Sequence, residues 1–227
     1  MRVALLQYPI AWADKEANLR LAEERIAALA GKADVAVLPE MFATGFCTDH
    51  PELAETMDGD IIRRLQAAAD QSGVAIVSSF ICLPATGQRL VNRGFMITPH
   101  SVYPNREELE GNPNLPSLQG GDGGRLFVQD KRHLYAHGGE DLFFQPAQER
   151  HIFEYKGVKI LLLICYDLRF PVWARNRSGH DYDIIIVVAN WPDIRIQYWD
   201  ALIAARATEN QCYIAAVNCV GDDGMGL

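Results

Sequence analysis

The 227-residue sequence has no hydrophobic run long enough to cross a membrane; the longest, Ile160 to Cys165, has the length of a strand. No extended apolar region or small-residue cleavage site follows Met1, so no secretory signal is predicted. The five cysteines are scattered and include no CxxC pair. This argues against a disulfide framework and a structural zinc site. These absences predict a cytoplasmic protein with reduced thiols and no membrane partner.

Basic charge is also scarce, because 21 Lys and Arg face 29 Asp and Glu for a net charge of −8. A general nucleic-acid binder needs a basic stripe, so no nucleic-acid partner is predicted. GxSxG, Walker and GxGxxG patterns are missing, and serine hydrolase, NTPase and dinucleotide functions therefore lack support. No cofactor is predicted. The hydrophobic content of 49% is that of a globular protein with a sizeable core.

Short runs rich in Val and Ile alternate with helix-length segments, which is typical of an α/β fold. Most runs are apolar throughout, so their strands should be covered on both faces. The predicted strands are Val3–Leu6, Val35–Leu38, Val74–Val77, Gly94–Ile97, Val158–Ile164, Ile184–Val188 and Tyr213–Val217. The predicted helices are Asp14–Ala30, with Asp14 as N-cap and Gly31 as stop, Asp60–Gln71 and Trp199–Asn210.

We expect a single domain over residues 1–227, interrupted by a loop insertion at about 99–124. That segment contains four prolines and five glycines, and loops of this length inside a compact domain are uncommon. A surface insertion explains it more simply than an active-site lid. The glycines at 120–124 lack the flanking strand and helix of a phosphate-binding loop.

Three chemically complementary residues come at the ends of apolar runs: Glu40, Lys131 and Cys165. Ligands bind beyond the carboxyl ends of strands in open α/β sheets. A cation lowers the pKa of a thiol, a carboxylate can take its proton, and an ammonium can stabilise an oxyanion. Each residue also has a simpler interpretation, as an inert buried thiol, a helix-capping carboxylate and a surface charge. Spacing alone leaves both open.

The blocks around these residues are similar to those of the nitrilase, or carbon–nitrogen hydrolase, superfamily. They are Leu38-Pro39-Glu40-Met41-Phe42, Asn92-Arg93-Gly94, Asp130-Lys131-Arg132-His133-Leu134, Cys165 to Pro171, and Ala204 to Asn210. The resemblance covers nearly the whole chain except the proline- and glycine-rich segment. It implies a four-layer αββα sandwich. It also implies further strands beyond Gly221, so that this chain should be short at its C-terminal end, and a homodimer.

The same resemblance implies a role for each residue of the candidate site. Glu40 would be the general base, Lys131 the cation beside the oxyanion and Cys165 the nucleophile. Glu140 matches a second family glutamate that orients the lysine, although a surface loop carboxylate is the simpler alternative. The backbone N–H of Tyr166 would also donate to the oxyanion.

Within the superfamily, the segments Cys165 to Asn176 and Val188 to Pro192 look most like the ω-amidase branch. This resemblance implies hydrolysis of a small ω-amide of a dicarboxylate, such as 2-oxoglutaramate, to an acid and ammonia. The free carboxylate of such a substrate needs a cation. Arg169 and Arg195 are candidates, and Arg169 could equally brace the loop through Asp167. Asn190 and Trp191, after a strand end, are the remaining candidates for substrate binding.

Several alternatives remain. A nitrile or an N-carbamoyl compound could be the substrate, or the fold could be catalytically idle and used for binding or assembly. A Cys165–His133 dyad is the rival nucleophilic arrangement. His133 and His137 are four residues apart but lack the accompanying glutamate of a metalloprotease helix, so no metal is predicted.

Overall fold

The computed structural model describes residues 1–85, 89–102 and 126–221. Five strands form a first sheet in the order β1-β2-β3-β4-β5. Strands β1 to β3 are parallel, whereas β4 is antiparallel to both of its neighbours. The strands are Val3–Leu5 (β1), Val35–Val37 (β2), Ala75–Cys82 (β3), Val91–Ile97 (β4) and Leu126–Asp130 (β5).

Four strands form a second sheet in the order β6-β7-β8-β9. Strands β7, β8 and β9 are parallel, and β6 is antiparallel to β7. The sequence did not predict β6, because only four residues form it and its burial alternates around the exposed Glu154. The strands are Ile152–Tyr155 (β6), Val158–Ile164 (β7), Ile184–Ala189 (β8) and Tyr213–Asn218 (β9).

Three helices of at least three turns flank the sheets: Lys15–Ala27 (α1), Asp60–Ser72 (α2) and Ile196–Asn210 (α5). Two single-turn helices, Glu140–Phe143 (α3) and Pro171–Ala174 (α4), come between them in the chain. The Asp14 side chain accepts a hydrogen bond from the Ala17 N–H, which confirms the predicted N-cap. Gly31 is not the stop, because the chain already tightens at Ala28, and Gly31 lies in the following turn with φ 72°.

The alternation of side chains along β2 shows how the layers form. Ala36 and Leu38 pack with α1 and α2 on the outer face of the first sheet. Val35 and Val37 belong to the core shared with the second sheet. Trp199 of α5 packs into that core from the far side. Helices, sheet, sheet and helices therefore form four layers, and the predicted αββα architecture is confirmed.

The two sheets approach each other closely at Gly94 of β4. A Cβ atom at this position would lie 2.7 Å from Leu162 Cδ2 on β7 and 2.8 Å from the Gln129 carbonyl oxygen on β5. Both distances are shorter than real Cβ contacts. Only glycine therefore fits between the sheets here.

The predicted insertion at 99–124 lies largely outside the described residues. Its first part includes a short 3₁₀ helix over His100–Val102, and description resumes with β5. Among the described helices, none has the length and hydropathy needed to span a membrane.

Candidate active site

Residues from both sheets meet at one edge of the sandwich. Glu40 follows β2 and Lys131 follows β5 in the first sheet, while Cys165 follows β7 and Asn190 follows β8 in the second. Because β2, β7 and β8 are parallel within their sheets and β5 runs opposite to β4, their carboxyl ends share this edge. The structure thus brings together the three residues that the sequence singled out.

The centre of the site is a buried ion cluster. Lys131 Nζ donates to Glu40 Oε1 at 2.9 Å and lies 2.9 Å from Glu140 Oε2. All three side chains have 0% exposure. Glu140 is therefore not a surface loop carboxylate. It reaches the lysine from the start of α3, where its Oε2 also accepts the Tyr135 N–H at 2.7 Å.

Asn92 is a member of this cluster whose role the sequence reasoning missed. Its Nδ2 donates to Glu40 Oε1 at 2.8 Å and to Glu140 Oε1 at 3.0 Å, so one carboxamide bridges two carboxylates. The side chain is fully buried at the start of β4. The available signal was its place in the block Asn92-Arg93-Gly94, which resembles the family but carries no titratable group at this position.

Asn190 fixes Glu40 from the second sheet. Its backbone N–H donates to Glu40 Oε2 at 2.9 Å, and its Nδ2 donates to the Glu40 carbonyl oxygen at 2.6 Å. The side chain predicted to bind substrate is thus engaged with the predicted base. Asn190 also lines the cavity, so its contact with substrate stays a prediction.

Opposing effects set the protonation of the cluster. Burial alone would lower the pKa of Lys131, but the charges of Glu140 and Glu40 outweigh it and raise this pKa above its ordinary value. Burial raises the pKa of Glu140, and the charge of Lys131 opposes this rise only in part. The lysine is consequently held in its charged form.

The Cys165 thiol is held protonated. Burial and then the charge of Glu40 raise its pKa well above the usual value, and Lys131 offsets them only in part. The nearby cation does lower this pKa, as the sequence argument expects, but burial and the charge of Glu40 outweigh it. Asn190 links the thiol to Glu40, because its carbonyl oxygen accepts from Cys165 Sγ and its N–H donates to the Glu40 carboxylate, which could take the thiol proton.

A strained turn presents the thiol. Cys165 has φ 44°, in the left-handed region, and begins a 3₁₀ helix over Cys165–Arg169 directly after β7. A non-glycine residue in this region costs of order 1–3 kcal/mol. Its Sγ lies 3.7 Å from the Asn190 carbonyl oxygen. Met41, next to Glu40, is similarly strained with φ 46°.

Asp167 braces the loop after the thiol, though not through Arg169 as the sequence allowed. Its carboxylate accepts from the N–H of Ile164 at 3.3 Å and from both the N–H and Nδ1 of His133 at 2.8 Å. His133 also stacks on Phe170 with ring centroids 3.6 Å apart. The His133 ring thus contacts Asp167, Phe170 and Trp173, which does not favour a Cys165–His133 dyad.

An open cavity of about 490 Å³, including its mouth, leads to Cys165 and Lys131. Tyr166, Arg169, Asn190 and Trp191, the four predicted substrate-binding residues, all line it. The complete lining is Phe46, Lys131, Tyr135, Cys165, Tyr166, Arg169, Asn190, Trp191, Pro192 and Arg195.

Two guanidinium groups stand at this cavity without a carboxylate partner among the described residues. Arg169 lies over the rings of Trp191, Tyr198 and Tyr166, with its Cζ 4.8, 5.4 and 5.9 Å from their centroids. Arg195 donates from Nη1 to the Tyr135 hydroxyl. Both charges thus remain available to an anionic ligand.

The part of the chain that the structure describes contains no group of three or more His, Cys, Asp or Glu side chains placed to hold a metal ion. His137 packs against the Tyr135 ring, with centroids 5.9 Å apart.

A buried thiol near a carboxylate and an ammonium, at the strand ends of an α/β sandwich, is a site typical of hydrolases that use a cysteine nucleophile. The carbon–nitrogen hydrolase family model matches residues 2–226. The chain therefore belongs to the carbon–nitrogen hydrolase family.

Relatives of known name extend this result. The chain is 38% identical to omega-amidase YafV of Escherichia coli K12, covering 100% of this chain and 77% of that protein. It is 31% identical to 2-oxoglutaramate amidase of Bacillus subtilis 168, covering 97% and 77%. Together with the family match, these relatives identify an amidase-type enzyme.

Solved structures agree with this assignment. XC1258 of Xanthomonas campestris, a CN-hydrolase superfamily protein with an arsenic adduct in its active site, superposes with a TM-score of 0.83 at 36% identity. The match covers 97% of this chain and 76% of that one. An amidase of Nesterenkonia sp. gives 0.78 at 23% identity, covering 98% and 77%, which supports the fold alone.

Proposed function

We propose that this enzyme hydrolyses a small ω-amide that carries a free carboxylate, of the 2-oxoglutaramate type, through a thioester on Cys165. The observation that carries the mechanism is that Cys165 and Glu40 meet at Asn190, whose carbonyl oxygen lies 3.7 Å from the thiol sulfur and whose N–H donates to the Glu40 carboxylate. Lys131 and Asn92 hold the same carboxylate. A base fixed by this many donors is oriented before substrate arrives.

In the first half-reaction, Cys165 Sγ attacks the amide carbon while its proton moves to Glu40. The new S–C bond places negative charge on the carbonyl oxygen, which Lys131 and the Tyr166 N–H stabilise. Glu40 then gives its proton to the leaving nitrogen, the C–N bond breaks and ammonia departs. An acyl thioester remains.

In the second half-reaction, water attacks the thioester carbon and Glu40 accepts a proton from it. The C–S bond breaks, the acid is released and Cys165 regains its proton. Glu140 and Asn92 act as positioning residues, because they contact Lys131 and Glu40 rather than the cavity.

The charge of the cavity supports a carboxylate-bearing substrate. Arg169 and Arg195 line it with no carboxylate partner among the described residues. A substrate carboxylate would satisfy these donors with charge-assisted hydrogen bonds. The relatives named for ω-amidase and 2-oxoglutaramate amidase activity support the same substrate class.

The test measures ammonia release from 2-oxoglutaramate by the wild type, by Cys165→Ala and by Cys212→Ala, a half-buried thiol outside the cavity. Cys165→Ala should lose activity by at least about 10⁴-fold, and the control should keep it. Activity retained in Cys165→Ala would overturn the mechanism.

A substrate panel tests specificity with the same readout. Faster turnover of a nitrile, or carbon dioxide release from an N-carbamoyl compound, would replace the ω-amide assignment. Turnover of none of these by the wild type would favour an idle fold.

We further propose that residues 1–227 form a single domain of a cytoplasmic, homodimeric enzyme. The core shared by the two sheets supports one domain, and the scattered cysteine spacing, with no CxxC pair, supports a reducing compartment. Sedimentation velocity would test self-association.

A further inference from the structure

A second, strongly basic cavity lies on the other side of the loops that carry the candidate site. Arg132, Arg150 and Arg177 line it, and none of them forms an ion pair among the described residues. By contrast, most basic side chains of α1 and α2, such as Arg20, Arg63 and Arg64, are paired with carboxylates. Unpaired guanidinium groups gathered in a chain of net charge −8 indicate an anion site.

Three histidines add to this basic character, and Glu149 is the one carboxylate residue among the described lining residues. The cavity is wide open and has about 1270 Å³ of empty space, which includes open solvent at its mouth. It therefore has room for a small organic anion as well as for an inorganic one. The histidines are His133, His151 and His180.

Arg150 shows that the cavity is built rather than incidental. Its guanidinium is partly buried and donates to the carbonyl oxygens of Trp173 at 2.7 Å and Arg175 at 2.9 Å. Burial and the positive charge of Arg177 lower its pKa. Both arginines line this cavity and neither has an ion-pair partner among the described residues, which a bound anion would supply.

Trp173 supplies an unsatisfied donor in the same wall. Its indole Nε1–H is buried and has no acceptor among the described residues. The Arg132 guanidinium lies over its ring, 5.7 Å from the centroid. This wall of the cavity therefore holds the Arg132 charge against an aromatic face.

We propose that this basic cavity is a second site that binds a polyvalent oxyanion of the phosphate class, free or as the phosphate group of a small organic molecule. Guanidinium groups match the paired oxygens of a phosphate, and several can contact one tetrahedral anion. The site is separate from the substrate cavity, since the two share no lining residue.

The basic cavity also contacts the catalytic loops. Arg132 and His133 directly follow Lys131, and His133 is hydrogen-bonded to Asp167, two residues after Cys165. A bound oxyanion would therefore touch both loops. Binding of this oxyanion can be measured by calorimetry, which does not depend on catalytic turnover.

The experiment is calorimetric titration with inorganic phosphate and, separately, with glucose 6-phosphate, at constant ionic strength set with chloride. The wild type should bind one equivalent outside the substrate cavity. Arg177→Ala should weaken binding by about tenfold or more, because an exposed cation is removed from the rim. Arg25→Ala, an exposed arginine of α1 outside this cavity, is the matched control and should bind as the wild type does.

Arg195→Ala separates the two cavities. Phosphate binding that survives in Arg195→Ala and fails in Arg177→Ala supports the proposal, and loss in Arg195→Ala alone assigns the anion to the substrate cavity and overturns it. No binding by the wild type overturns it as well. Tighter binding of the ester than of the free ion identifies an organic phosphate as the ligand class, and the reverse identifies the free ion.

Discussion

The buried cluster and the mouth of the same cavity are held together in opposite ways. In the cluster, Glu40, Lys131 and Asn92 have 0% exposure and are tied by hydrogen bonds of 2.8 to 2.9 Å. At the mouth, Arg169 makes ring contacts only, among the described residues, with Cζ-to-centroid distances of 4.8 to 5.9 Å. Hydrogen bonds fix direction, whereas stacking tolerates sliding.

This difference separates two tasks. Proton transfer needs a base held within a few tenths of an ångström, and the cluster provides it with buried donors on each carboxylate oxygen. Recognition of a flexible substrate needs charge in about the right place, and guanidinium groups on aromatic faces provide that. Changes in the cluster should therefore affect kcat, and changes at the mouth should affect KM.

The largest effect should come from breaking the cluster with Glu40→Gln. The amide keeps the shape but cannot take the thiol proton, so kcat should fall at least about 10³-fold. The NH₂ group of the glutamine would also face a donor that now bonds to Glu40, either Lys131 Nζ or the Asn190 N–H. Because that donor would be buried without an acceptor, the urea concentration at the midpoint of unfolding should fall. Ammonia release and urea unfolding measure both. Glu154→Gln, at an exposed position of β6, is the control. A kcat within tenfold of the wild type would mean that another group is the base.

A smaller effect is expected at the mouth, from Arg195→Ala. Loss of one charge-assisted contact to a substrate carboxylate should raise KM for 2-oxoglutaramate by about 10- to 100-fold and change kcat little. The matched comparison is a simple amide without a carboxylate, whose turnover should not change. Equal losses on both amides would show that Arg195 supports the structure of the cavity and does not recognise charge.

The smallest effect concerns stability against pH. Because the pKa of Cys165 is raised above that of an unfolded cysteine, about 8.5, the native protein keeps this proton where the unfolded chain loses it. This contribution to stability is complete below about pH 8.5 and disappears as pH rises towards the folded value. Between about pH 8.5 and pH 10, the wild type should lose up to about 1.4 kcal/mol per pH unit more than Cys165→Ala.

Urea unfolding at several pH values checks this difference. The pKa of Cys47 and of Cys82 is also raised, to about 11, but both thiols are present in the two proteins and their effects cancel. Parallel stability curves would mean that the Cys165 thiol is not protonated more tightly in the folded state.

Much of the fold was predictable because apolar runs mark buried strands directly, and β2, β7 and β8 fall where those runs lie. The convergence of Glu40, Lys131 and Cys165 followed from their positions after such runs. Strand β6 was not predicted, because it has only four residues and the exposed Glu154 interrupts its apolar run.

The partners of these residues could not be predicted for a different reason. The hydrogen bonds of Asn92 depend on the register of β4 against β5, in which Arg93 pairs with Asp130. Those of Asn190 depend on how one sheet stacks on the other. A carboxamide is uncharged, so charge did not single out these residues in the sequence. Local periodicity also does not predict which residues meet across two sheets.

The close approach at Gly94 bears on the geometry of the whole site, because it limits the spacing between the two sheets. Glu40 and Lys131 follow strands of one sheet, whereas Cys165 and Asn190 follow strands of the other. The spacing between the sheets therefore contributes to the distance between the base and the thiol. A strand position that accepts no side chain allows the two sheets to lie close together. The absence of a Cβ atom at Gly94 thus helps to set the distance between Glu40 and Cys165.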